Sequence, residues 1–176
     1  PYSSAVDSIM YAKVCTRLDI AQAVSVDICL VLKKTHWQAV KWIFKYLRRT
    51  SNCCLEFGRN NNTLVGFVDS DYARDLDRRI SLSYYVFYID GCAVSWKVTL
   101  QPIVVLSTTD AEYIAMTETI KETLWLKSLF DEFSLHQGII TIYCDSQSAI
   151  HLTKEQMYFE RTKHMDVKFH FIRDTI

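Results

Sequence analysis

Three carboxylates stand where an α/β protein does chemistry. Asp69 closes the run TLVGFVD, Glu112 lies in the first turn of a long helical pattern that follows Ser107-Thr108-Thr109, and Asp145 closes the run IITIYCD. Strand ends beside helix N-termini are where such sheets bind ligands. If the two strands are parallel neighbours, Asp69 and Asp145 leave the sheet at one edge, and a helix crossing that face can bring Glu112 beside them. Clustered carboxylates repel in a partly buried site, so three of them stay ionised together only around a cation. Oxygen donors suit Mg²⁺, which keeps waters and substrate phosphate oxygens in its shell. Two such ions about 4 Å apart activate a water and stabilise the leaving oxygen of a phosphodiester. Acids at strand ends are also ordinary caps and loop residues, so position alone leaves both readings open. Asp71, two residues past Asp69 and on the same strand face, is either an auxiliary acid or a turn residue.

The elements that must hold these acids can be read from periodicity. Residues 1–50 are helical in pattern: Val6, Ile9, Met10 and Val14 recur at helical spacing, and after Thr35 the residues Trp37, Val40, Phe44 and Leu47 share a face. Opposite them Lys41, Lys45 and Arg48 form a basic ridge, either a solvated face or a phosphate contact. From Cys53 the period becomes two. CCLEFG, TLVGFVD, YYVFYI and AVSWKV read as strands, and Asp90-Gly91 between the last two is a hairpin signal. Ser107, Thr108 and Thr109 are suited to capping the long helix through Tyr113, Met116, Ile120 and Leu126, within which the pattern predicts a break. IITIYCD reads as a buried strand. A short helix through Ala149 and Leu152 follows, and the basic, aromatic stretch RTKHMDVKFHFIRD is again helical in pattern.

Composition narrows the class. The chain has 176 residues, 49% apolar and 23% charged, with 20 basic and 20 acidic side chains. That suits one globular domain, or one with an appendage, and excludes disorder. No apolar run is long enough to span a bilayer. Zero net charge means that nucleic-acid affinity must come from local patches and be salt-sensitive. Four glycines and two prolines are few against the usual ~7% and ~5%. The six cysteines form no C-x-x-C pair, which points to reduced, intracellular thiols. A start at Pro1 without a leader suggests a piece of a longer polypeptide. His164 and His170 lack partners at zinc spacing, Trp42, Trp96 and Trp125 read as core, and Ser146 and Ser148 have no nucleophile-elbow context.

The runs PYSSAV, MYAKVCTR, HWQAVKWI, AVSWK, LSTTDAEYIA, WLK, YCDSQSAI and RTKHMDVKFHFIR resemble the Pol polyprotein of plant copia-type long-terminal-repeat retrotransposons over essentially the whole chain. The resemblance implies an α/β fold with a mixed sheet, ribonuclease H-like, over 61–176. A small helical segment over 1–60 would be like the one that follows the reverse transcriptase palm. It implies hydrolysis of the RNA strand of an RNA/DNA hybrid with two Mg²⁺ ions, or Mn²⁺ in their place, beside the reverse transcriptase portion of the same polyprotein and with no membrane partner. VDSD carries the family's first metal-binding aspartate at Asp69, TDAEY its helix glutamate at Glu112, and YCDSQ its second aspartate at Asp145. The order Asp, Glu, Asp separates this family from integrases and transposases of related fold, which read Asp, Asp, Glu. Arg79, Ser81, Arg161, Lys163 and His164 are the expected hybrid contacts.

Two departures from the family pattern give a second expectation. The chain stops at Ile176, before the last strand and the helix that bears the family's fourth carboxylate, and Asp166 belongs to the preceding helix. Asp7, Arg49, Arg74 and Tyr84 stand where the family has Gly, and Leu18 where it has Pro. At positive-φ turns such changes cost about 1 kcal/mol or more. The second expectation is therefore a catalytically inactive, decayed retroelement fragment with weak nucleic-acid binding.

Overall fold

Alternation of buried and open positions along LVGFVD makes β1 (Leu64–Asp75) the centre of a sheet. The computed structural model describes residues 2–27, 34–56, 63–75, 77–154, 171, 172 and 175. Strands β2 (Ile80–Ile89) and β3 (Cys92–Leu100) follow β1 in antiparallel hairpins, and β4 (Thr141–Cys144) pairs parallel with β1 on its other side. The sheet order is β3-β2-β1-β4, so the architecture is mixed α/β. Asp90 and Gly91 turn the β2–β3 hairpin with φ of 53° and 77°. These are the left-handed values that a two-residue turn of this kind requires and that Asp-Gly adopts at low cost. IITIYCD departs from the expected buried strand: β4 has four residues, alternates open and half-buried positions, and lies at the sheet's edge among the described residues. Only its α4-facing side is covered, hence the alternation.

The long helical pattern is α4 (Thr108–Glu132), uninterrupted over 25 residues where a break was expected. Ser107 caps it, its hydroxyl accepting from the Asp110 N–H at 3.1 Å. The hydroxyls of Thr117, Thr119, Thr123 and Ser128 donate to carbonyls one turn back. With no Gly or Pro in the span, nothing breaks the helix. One side of α4 buries Tyr113, Met116 and Ile120 with Val105 and with Ala149 of α5 (Gln147–Lys154). Further along, Leu126 meets Leu64, Tyr85 and Phe87 of the sheet. Ser95 donates to Glu122 at 2.6 Å and Lys97 pairs with Glu118 at 3.8 Å, which ties the same helix to β3.

The first helices, α1 (Tyr2–Cys15), α2 (Ala21–Asp27) and α3 (Lys34–Arg49), share a separate core of Ile9, Ile20, Val24 and Val40. The Trp96 indole N–H donates to the Lys13 carbonyl at 2.8 Å and docks α1 on β3. Other aromatic expectations fail. Trp42 is 61% and Trp125 57% exposed, and Val14, Trp37 and Phe44 are also open. The face of α3 that packs runs through Val40, Ile43 and Leu47, which leaves Trp37 and Trp42 outside beneath Lys41 and Lys45. The residues standing for family glycines are not strained: Asp7, Arg49, Arg74 and Tyr84 lie in α1, α3, β1 and β2. The described non-glycine residues with positive φ are instead Ala73, Arg79, Asp90 and Ser134.

Asp19 joins the 3-10 turn Leu18–Ile20 to α3, accepting from Arg17 at 2.6 Å and from the Tyr46 hydroxyl at 2.7 Å. The Arg17 bond is the main cause holding the Asp19 carboxyl down at about 2, below its ordinary 3.8. A depressed carboxyl stabilises the fold above its unfolded pKa, so this contribution is complete above pH 3.8 and lost as pH falls through about 2. Asp19→Asn is expected to flatten the stability profile in that window in acid titrations followed by circular dichroism, by less than about 1 kcal/mol because the pair is partly solvated.

Candidate functional site

The parallel pairing of β1 and β4 ends at Val68 and Cys144, so Asp69 and Asp145 are the next residues on neighbouring strands and stand level with each other, although β1 runs on to Asp75 where the sequence pattern put its end at Asp69. Glu112, one turn into α4, comes over that point, and its Oε1 accepts from the Ser70 N–H at 3.2 Å. The residue is only 8% exposed, and its Oε2 is buried without a hydrogen-bond partner among the described residues. Burial first, then the charges of Asp69 and Asp145, push the Glu112 carboxyl up to about 7, against the opposing bond from Ser70. Among the described residues no basic side chain opposes that rise. One oxygen each from Glu112 and Asp145 and the Cys144 sulfur lie within 4.8 Å of one another.

Asp69 belongs to the other face of the sheet. It stands opposite Tyr84 in the β1–β2 register and accepts from the Ser70 N–H at 2.6 Å. Tyr84 is pushed well above the ordinary phenol range, by burial first and then by hydrogen bonding to Asp69. Asp69, Tyr84, Tyr143 and Asp145 line a cleft of about 680 Å³, whose opposite wall includes Leu18, Asp19 and Gln22. Phe67 and Tyr143 stack on its floor at 5.2 Å. The three expected acids thus meet where the β1–β4 pairing stops, from two faces, with Glu112 and Asp145 in mutual reach and Asp69 beside them. Asp71 pairs with Arg74 at 3.5 Å.

The expected hybrid contacts divide. Arg79 is exposed in a turn and has a φ of 56°. Ser81 is fully buried, and its hydroxyl accepts from the Ala73 N–H at 3.1 Å, so it has no surface to offer a nucleic acid. Its position on the α4 side of β2 is the reason, and this corrects the sequence-based assignment. Arg161, Lys163, His164 and Asp166 lie outside the described residues.

Sequence reasoning missed Gln101. This residue is 3% exposed, and its side-chain amide donates to the Ser83 hydroxyl and to the Ala111 carbonyl, both at 2.8 Å. It thereby anchors the turn of α4 that carries Glu112. The only signal was a polar residue ending an apolar strand, which is too common to single out. Gln101→Ala leaves buried acceptors unmet and is expected to cost about 2 kcal/mol in urea denaturation.

A mixed sheet with carboxylates converging where two adjacent parallel strands stop pairing defines an α/β protein with a candidate divalent-cation site. Among described residues no helix is long and apolar enough to cross a membrane. No family model matches the chain. It is 54% identical, over its whole length, to the retrovirus-related Pol polyprotein from transposon TNT 1-94 of Nicotiana tabacum, of which it covers 13%. It is 44% identical over 72% of its length to the secreted RxLR effector protein 161 of Plasmopara viticola, covering 91% of that protein. A solved ribonuclease H1 from a compost metagenome aligns with 65% of this chain and 75% of its own, at 14% identity and a TM-score of 0.47. The chain belongs to the retrovirus-related Pol polyprotein family of plant transposons and spans a small part of those polyproteins.

Proposed function

We propose that this segment is a ribonuclease H-type nuclease region that hydrolyses the RNA strand of an RNA/DNA hybrid, working beside the reverse transcriptase portion of its polyprotein. The observation that carries the reading is the pairing of β1 with β4, which sets Asp69 and Asp145 at one level with buried Glu112 over them. The donor set fits a divalent cation: Glu112 Oε2 is buried and has no hydrogen-bond partner among the described residues, and its carboxyl is raised by burial first and then by two neighbouring acids. Glu112 and Asp145 would hold Mg²⁺ or Mn²⁺, with Asp69 completing the set. When bound, the cation supplies charge neutralisation and an activated water. The protein's part is to fix the acids. Ser70 orients Glu112 and Asp69 through one backbone N–H, and Gln101 anchors the start of α4. The open cleft beside Asp69 and Asp145 leaves room for a phosphodiester backbone, and exposed Arg79 is a candidate phosphate contact.

A second reading, hybrid binding without cleavage, is favoured by one observation: Asp69 is engaged by Ser70 and Tyr84 and lies outside the group formed by Glu112, Cys144 and Asp145. One experiment separates the two. The purified chain is incubated with a labelled RNA/DNA hybrid in Mg²⁺ and in Mn²⁺, beside Asp145→Asn and a metal-free control. Cation-dependent cleavage of the RNA strand, lost in Asp145→Asn, supports the nuclease. Salt-sensitive binding by folded protein without cleavage supports the second reading.

A further inference from the structure

The acid cluster contains a sulfur that the proposed nuclease chemistry does not use. Cys144 ends β4, half-buried, on the side of the sheet that packs against α4 and α5. Its Sγ lies within 4.8 Å of an oxygen of Glu112 and of Asp145. The junction that carries it is fixed. Ser146 caps α5, its hydroxyl accepting from the Ala149 N–H at 3.3 Å. A second observation points to a ligand at the same side chain: Glu112, 8% exposed, keeps its Oε2 buried and without a hydrogen-bond partner among the described residues.

Donor type decides which ions such a place accepts. Two carboxylate oxygens alone suit Mg²⁺, for which a thiol is no ligand. Two carboxylates with a thiolate suit ions that take both oxygen and sulfur, such as Zn²⁺ and its softer congener Cd²⁺. We propose that Glu112, Cys144 and Asp145 form a mixed carboxylate–thiolate site that takes a thiophilic divalent cation, Zn²⁺ or Cd²⁺, in competition with oxygen-seeking Mg²⁺. This deepens the function proposed above and rests on its cation-binding acids. On loading, the metal–sulfur bond forms as the S–H bond breaks and the proton passes to solvent, with no change of oxidation state. Because both cation classes need Glu112 and Asp145, an ion held by the sulfur removes those carboxylates from the other. Zn²⁺ and Cd²⁺ then inhibit the segment rather than support it.

Cd²⁺ titration of the full chain tests this, read by the ultraviolet charge-transfer band of a cadmium–thiolate bond and by calorimetry. Cys15, Cys53 and Cys54 are exposed, so they and Cys29 are first replaced by Ser; buried Cys92 stays. The expected result is a thiolate band saturating at one equivalent, and a Cd²⁺ affinity that falls more than about tenfold in Cys144→Ser. Glu112→Gln and Asp145→Asn should also weaken it, and excess Mg²⁺ should bleach the band. If the background variant does not fold, the difference spectrum between the unaltered chain and its Cys144→Ser form makes the same comparison. A band that survives Cys144→Ser, or Cd²⁺ binding without a band, overturns the proposal. Mn²⁺ titration separates the two readings. Binding of Mn²⁺ with no thiolate band under Cd²⁺ leaves the nuclease reading standing alone, and a folded chain that binds neither ion refutes both.

Discussion

Glu112→Gln is expected to lower cation-dependent cleavage of an RNA/DNA hybrid by about 100-fold or more, equivalent to about 2.7 kcal/mol of barrier, while making the metal-free protein more stable. The opposed effects have one cause. Glu112 is 8% exposed and holds one oxygen without a partner among the described residues near two other carboxylates, so its charge burdens the fold, and in the nuclease proposed above it is the charge that would hold the cation. The pH dependence has a definite sign. The folded-state value of about 7 exceeds the ordinary 4.5, so the native state binds more protons between them and loses stability as pH rises through that window. The loss is complete above about 7, on the order of 3 kcal/mol. Glu112→Gln should remove that slope, and Mn²⁺ should stabilise the unaltered protein more than the variant. Urea denaturation at pH 5 and pH 8, with and without Mn²⁺, measures both. An unchanged profile would mean that the carboxyl is not confined as described.

Gly66→Ala is expected to destabilise the fold by about 2–3 kcal/mol, a fall of about 5–10 °C in the thermal midpoint for a chain of this size. Gly66 faces Phe87 across the β1–β2 pair, and the fully buried Phe87 ring lies over it. A Cβ added at Gly66 would sit 2.7 Å from Phe87 Cε1. The ring cannot swing away freely, because Tyr85, Leu64 and Leu126 share its cluster. The double variant Gly66→Ala with Phe87→Leu should recover part of the loss relative to the sum of the single changes. Strict additivity in thermal melts would show that the two positions do not touch. The same substitution tests the site at a distance, since Asp69 follows Gly66 on the same strand, with only Phe67 and Val68 between them.

Much of this molecule is local and therefore legible. The Asp90-Gly91 hairpin, the Ser107 cap, the strand carrying Asp69, which runs past it to Asp75, and the helix carrying Glu112 each follow from a few adjacent residues whose backbone preferences agree. The break expected within α4 and the buried strand expected at 139–145 failed for different reasons. Hydroxyl back-bonding satisfied the threonines of α4, and only one side of β4 is covered. The exposure of Trp42 and Trp125 was illegible because an apolar period says which residues share a face, not which face meets a neighbour.

The identities of Asp69, Glu112 and Asp145, and the strands and helix that bear them, come from chain-local patterning, because periodicity and capping act over a few residues. Their relation to one another came from folding. Glu112 meets Ser70 across 42 residues of sequence, and the parallel β1–β4 register places Asp145 level with Asp69. That register turned Cys144 toward Glu112, and the antiparallel pairing of β2 with β1 turned Ser81 into the core, because each step along a strand reverses the face and only packing against α4 decides which face is inside.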